Sequence, residues 1–145
     1  MTTFRDPAAY QGKGPGWLPE EPHPAELPRP IALAAAAAED LKARHPVVLD
    51  LRGLSDATDF FVIVSGTSDT HVRGIADAIL DRLAIAGVHP HHVEGAPGGR
   101  WVLLDFVDFV VHLFHPETRA FYQLERLWSD APALALPRSS ERKVP

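Results

Sequence analysis

Arg100-Trp101-Val102-Leu103-Leu104-Asp105-Phe106-Val107-Asp108-Phe109-Val110-Val111-His112-Leu113-Phe114-His115-Pro116 is the stretch whose reading decides the fold. Its alternation describes two short strands joined by a tight turn, and Pro116 then stands where a helix opens. Trp101, Leu103 and Asp105 point one way, with Val102, Leu104 and Phe106 opposite; in the second strand Val110, His112 and Phe114 oppose Phe109, Val111 and Leu113. Both faces are largely apolar, so the hairpin belongs in a sheet that is covered on both sides. Either helices cover both faces, or helices cover one and a partner protein the other. Trp101 and His112 are the natural anchors of the second arrangement, because a large aromatic with a polar handle suits an interface; a tryptophan filling the core is the equal alternative.

Working outward, Ile31 to Arg44 is rich in alanine, with Ile31, Ala34, Ala38 and Leu41 at helical spacing, and Pro46 is expected to close that helix. Val47 to Leu51 and Phe60-Phe61-Val62-Ile63-Val64 read as buried strands. Val72, Ile75, Ala76, Ile79, Leu83 and Ala86 form one apolar stripe that predicts a second helix stopping at Gly87. Val88 to Glu94 is a weaker strand, which Pro90 assigns to an edge. Beyond Pro116, a helix carries Phe121, Leu124 and Trp128 on roughly one face. This order predicts an α/β fold: a mixed sheet with packed helices.

Seven of the fourteen prolines fall in the first thirty residues, as in Pro19-Glu20-Glu21-Pro22-His23-Pro24, which predicts a disordered leader over residues 1–29. One domain is expected over residues 30–130, followed by a flexible tail over 131–145. The 145 residues, 46% of them hydrophobic, suffice for one real core. The formal charge is -5, and residues 30–130 hold 8 basic against 14 acidic residues. Such a surface argues against direct DNA or RNA phosphate binding and for a basic protein partner. With no cysteine, disulfides, thiolate metal sites and a cysteine nucleophile are excluded. No secretion signal and no apolar run near the ~20 residues of a membrane span are present, so a soluble cytoplasmic protein without membrane contact is expected.

Three constellations bear on chemistry. Ser65-Gly66-Thr67-Ser68-Asp69 follows a strand and opens a helix, where it serves either as a cap or as an anion cradle; capping is favoured, since neither dinucleotide glycine spacing nor a P-loop lysine is present. His89, His91 and His92 with His112 and His115 do not fall on one face in the way zinc ligands must converge, so no metal is expected. Asp105 and Asp108 would serve a metal-dependent nucleotidyltransferase if Mg²⁺ bound there and the Ser65-Gly66 turn held phosphates. Their place beside a turn, where aspartate is common for local reasons, argues against it.

The segments Asp50-Leu51-Arg52-Gly53-Leu54-Ser55, Asp59-Phe60-Phe61-Val62-Ile63, Ser65-Gly66-Thr67-Ser68 with His71-Val72, Ile75-Ala76-Asp77, Val93-Glu94-Gly95, Arg100-Trp101-Val102-Leu103-Leu104-Asp105, Asp108, Val110-Val111-His112, Phe114 and Tyr122-Gln123-Leu124-Glu125-Arg126-Leu127-Trp128 together resemble the ribosomal silencing factor family, also called Iojap-like. The resemblance runs in order over about residues 31–130. It implies a mixed five-stranded sheet of nucleotidyltransferase-like architecture without that chemistry, hence no enzyme, no catalytic residue and no cofactor. It also implies a translational repressor that binds the large ribosomal subunit through its protein numbered fourteen. Members block joining of the small subunit sterically and damp translation when nutrients are short.

Matching the family pattern residue by residue points to Trp101, Asp105, His112 and Phe114 in the hairpin and Tyr122, Leu124, Glu125 and Trp128 in the last helix as partner-binding residues. Trp101 would be an apolar anchor, Asp105 and Glu125 acceptors for basic side chains, and His112 a polar contact or an organiser of Asp105. Val107 stands where the family usually has glycine; a β-branched residue resists the positive φ of a primed turn, so a different turn type is expected. The alternatives are the nucleotidyltransferase-like enzyme and a large-subunit assembly factor, and the apolar sheet face allows a homodimer in the free protein.

Overall fold

A computed structural model describes residues 27–134. The expected leader, apart from its last three residues, and the tail from residue 135 lie outside the described residues. In chain order the elements are α1 (Arg29–Asp40), β1 (Arg44–Asp50), β2 (Phe60–Ser65), α2 (Asp69–Ile85), β3 (His92–Glu94), β4 (Trp101–Asp105), β5 (Phe109–Phe114), α3 (Pro116–Tyr122), α4 (Leu124–Leu127) and β6 (Ala133–Leu134). The sheet runs β3-β4-β5-β2-β1-β6. Its central pair, β2 and β5, is parallel, and the other four pairings are antiparallel.

The mixed α/β fold with packed helices is the one the hairpin implied, with a sixth strand beyond the five expected. Ala131 is buried and β6 pairs with β1, so the chain past Asp130 still belongs to the sheet. One face packs under α1 and α2. Val48, Val62, Val64, Val102, Leu104, Val111 and Leu113 of the strands meet Ile31, Ala34 and Ala38 of α1 and Val72, Ile75, Ile79 and Leu83 of α2. The opposite face holds a smaller cluster of Leu49, Leu51, Ile63, Phe114, Leu124 and Ala131. No helix among the described residues is long and apolar enough to cross a membrane.

Three boundaries differ from the sequence reading, each for a local reason. Helix α1 ends at Asp40 because the chain turns left-handed at Lys42 (φ 62°), with the Ala43 N–H donating to the Ala38 carbonyl at 3.0 Å. Pro46 therefore lies inside β1, beside His45 at φ 51° and a register slip between Arg44 and Val47. Only His92–Glu94 of the weak third strand pairs, and it forms the edge that Pro90 implied. The last helix breaks at Gln123 (φ 51°), so Phe121, Leu124 and Trp128 do not share a face: Phe121 is exposed while Leu124 is buried. Helix α2 caps on Ser68, whose side chain accepts from the His71 N–H, and Gly87 (φ 81°) follows its end.

The turn of the deciding hairpin is neither a primed β-turn nor free of positive φ. Val107 sits at φ 75°, the Asp108 N–H reaches back to the Phe106 carbonyl at 2.9 Å, and the Phe106 N–H donates to Phe109. This is the strained form of the γ-turn. The Asp105 carboxylate accepts the Val107 N–H at 2.8 Å and holds it there. A β-branched residue at positive φ costs free energy that glycine does not. Val107→Gly is expected to raise stability by about 1 kcal/mol, read as a higher denaturant midpoint at unchanged slope; an equal or lower midpoint would show the turn to be unstrained.

Candidate partner-docking face

The second sheet face is built by cross-strand register. Trp101 pairs with Phe114, Leu103 with His112 and Asp105 with Val110, while parallel β2 sets Phe61 beside Val110, Ile63 beside His112 and Ser65 beside Phe114. Phe114 is fully buried and His112 is 4% exposed, whereas Trp101, Phe61 and Trp128 are half-buried. Trp101 packs on Phe114 at 4.8 Å between ring centroids and on Tyr122 at 4.9 Å, so the strand and α3 share one aromatic layer. Phe61 stands edge-on to His112 at 4.5 Å and to Trp128 at 5.7 Å. Tyr122, Phe121 and Leu127 stay exposed at 51%, 78% and 75%. Phe121 stands edge-on to Tyr122 at 4.9 Å, so exposed apolar surface continues outward from the layer, the kind of surface found at interaction sites.

His112 is the polar element beneath this layer. Its Nδ1 accepts the Trp101 indole N–H at 3.1 Å, which leaves the ring proton on Nε2, a buried atom with no partner. Burial lowers its pKa from 6.5 to about 4, so the ring is neutral at physiological pH. Because the folded-state value is depressed, the unfolded chain takes up a proton first as pH falls. Stability is full above about pH 6.5 and is lost progressively down to about pH 4, by on the order of 3 kcal/mol. Protonation of Nδ1 also removes the acceptor for Trp101. His112→Gln is expected to flatten the fall in Tm between those limits; an unchanged slope would place the titration elsewhere.

The sequence-derived residues fall into three groups. Trp101, Tyr122 and Trp128 line the outer aromatic layer. His112, Phe114 and Leu124 lie inside and support it, so their side chains do not reach a partner directly. Asp105 and Glu125 are engaged within the chain. Asp105 holds the Val107 turn and is not bonded to His112. Glu125 accepts from Arg119 Nε and Nη2 at 3.0 and 2.7 Å, and Arg119 Nη1 donates to the Ser65 hydroxyl at 2.9 Å. Burial is the largest single influence on Glu125 and opposes its charge, but the Arg119 hydrogen bonds, a backbone hydrogen bond and the Arg119 charge together outweigh it and hold its pKa below the usual carboxylate range. Phe61, Arg119, Phe121 and Leu127 are not among the partner-binding residues the sequence points to. Phe61 enters through the non-local β2–β5 pairing, for which no local signal exists.

The enzymatic arrangement does not form. Asp105 pairs opposite Val110 at the start of β5, whereas Ser65 pairs opposite Phe114 at its end. Four strand steps separate the two positions, roughly 13 Å. Among the described residues, no three His, Asp or Glu side chains gather to hold a metal ion.

A mixed sheet with one face sealed by helices and the other roofed by a thin aromatic layer defines the α/β domain. The profile of the family described as "Ribosomal silencing factor during starvation" matches residues 24–144. The Ribosomal silencing factor RsfS of Bacillus subtilis is 43% identical over 102 residues, covering 70% of this chain and 86% of that one. A crystal structure of a Bacillus halodurans protein superposes with a TM-score of 0.66 at 40% identity, covering 73% of this chain and 96% of the other. A mouse protein named "Mitochondrial assembly of ribosomal large subunit protein 1" is 37% identical over 75 residues, 50% of this chain and 33% of its own length. The chain belongs to the ribosomal silencing factor family.

Proposed function

We propose that this chain represses translation by docking on the large ribosomal subunit through its protein numbered fourteen and standing where the small subunit must join. Membership of a family named for silencing the ribosome supports the regulatory activity, and the mouse relative is named for the large subunit. The observation that carries the reading is the aromatic layer of Trp101, Tyr122 and Trp128, extended outward by exposed Phe121. Aromatic side chains contribute contact area at small entropic cost and dominate binding energy where a partner excludes water. Net charge of -5 complements a basic ribosomal protein and mainly speeds and orients the encounter.

Each residue then has a role. Trp101 anchors, Tyr122 and Trp128 extend the contact, and His112, Phe114 and Leu124 hold the anchor's pose from beneath. Glu125 and Asp105 present carboxylate oxygens beyond those used internally. Occlusion needs only affinity and bulk, so no chemical step is involved. In the free protein the same apolar face pairs two copies, and docking on the ribosome releases them. The test is sedimentation of the native protein with separated and with joined ribosomes. It is expected to travel with free large subunits and not with joined ones; equal association with both would overturn occlusion. The mouse relative's name favours an assembly role as a second reading, which predicts association with precursor particles alone.

A further inference from the structure

Away from the aromatic face, a cleft opens at the C-terminal ends of the parallel strands β2 and β5, with a volume of about 330 Å³. After β2 the chain crosses into α2 on one face of the sheet, and after β5 it crosses into α3 on the other, where Tyr122 packs on Trp101. Adjacent parallel strands whose connections leave in opposite directions open a crevice between them, and in α/β sheets ligands bind there. Arg44, His45, Ser65, Thr67 and Arg119 line it, and Pro116 with Ala120 forms an apolar wall.

The polar groups in this crevice are donors to spare. Ser65 is 3% exposed, and its oxygen accepts from Arg119 Nη1, which leaves the hydroxyl proton to be donated into the cleft. Arg119 uses three N–H groups on Ser65 and Glu125 and keeps two of its five. Its side chain is 12% exposed and is fixed in place by those bonds. Arg44, set opposite Ser65 by the β1–β2 register, is exposed and has no ion-pair partner among the described residues. Glu125 offsets one of the two guanidinium charges, so the cleft remains positive in a domain with 14 acidic and 8 basic residues. Two guanidiniums and a buried hydroxyl lining one half-open cleft are the kind of donor set that phosphate oxygens take.

We propose that this cleft binds a small phosphate ester, with its phosphate on Arg44, Arg119 and the Ser65 hydroxyl and its organic part against Pro116 and Ala120. The small volume of the cleft and the acidic surroundings favour a small ester over a polynucleotide, which needs a basic track to follow. The proposal does not depend on ribosome docking. It is tested by calorimetric titration of the full chain with ADP and with sodium pyrophosphate at constant ionic strength. Saturable binding at one site per chain is expected. Arg44→Ala, an exposed change that leaves the buried network intact, should weaken it about tenfold or more; Ser65→Ala should weaken it too, with tryptophan circular dichroism confirming that both variants are folded. No saturable binding at millimolar ligand, or equal binding by Arg44→Ala, overturns the site. Tighter, Arg44-dependent binding of a short single-stranded RNA than of ADP overturns the small-ester assignment in favour of a nucleic-acid phosphate.

Discussion

Gly95→Ala is expected to lower the stability of the fold by on the order of 3 kcal/mol, because two independent costs fall on one atom. Gly95 sits at φ 80°, where a side chain is disfavoured, and a Cβ there would overlap the backbone carbonyl oxygen of Trp101. That neighbour cannot swing aside, since it belongs to β4 in the middle of the antiparallel β3-β4-β5 ladder. The Gly95 carbonyl also accepts from the Gly98 and Gly99 N–H groups, so moving residue 95 loosens the whole loop that leads into Trp101. Chemical denaturation measures the loss. A change below about 1 kcal/mol, the ordinary range for an unremarkable site, would mean that the loop relaxes freely.

Trp101→Ala is expected to weaken binding to isolated large subunits by about 100-fold, the scale of a central aromatic hot spot. The truncation removes the ring that packs on Phe114 and Tyr122, and it strips the His112 Nδ1 of its donor. Part of that loss is structural, and Tyr122→Ala separates the parts. Tyr122 is half exposed, so its truncation should reduce binding by about tenfold while stability changes by less than 1 kcal/mol. Both are read by equilibrium sedimentation with separated subunits beside denaturation curves. Unaltered binding by Tyr122→Ala would move the docking surface away from α3.

How much of this was legible in the sequence depends on how local each feature is. The β4–β5 hairpin and α2 announce themselves through alternation and an apolar stripe, and both stand where those patterns put them. The ends of α1 and α3 do not, because each is set by one residue, Lys42 or Gln123, adopting a left-handed conformation within an otherwise helical composition. Strand β6 hides because two residues after Pro132 carry too little pattern to separate them from a tail; only pairing with Val48 and Leu49 makes them a strand. Val107 inverts the usual inference. Its β-branched side chain argued against positive φ, yet the Asp105 carboxylate and the ladder hold it there.

The site divides along the same line. Trp101 and His112 stand out in the sequence as candidate anchors, and the β4–β5 register with the indole–imidazole hydrogen bond joins them. Their depth was not legible. The parallel β2–β5 pairing brings Phe61 over His112, and Leu124 turns inward once Gln123 breaks the helix, so burial follows from contacts far apart in sequence. Likewise Asp105, Asp108 and Ser65 look like neighbours in a catalytic reading, and only the register places them at opposite ends of β5.

The central claim is occlusion of the subunit interface through the aromatic face. It is tested most directly by mixing purified small and large subunits under joining conditions with saturating protein and resolving the particles on a sucrose gradient. The predicted result is a loss of the joined peak with the protein bound to the large subunit, and recovery of joining when Trp101→Ala is added instead. Full formation of joined ribosomes with the wild-type protein still bound to them would contradict it.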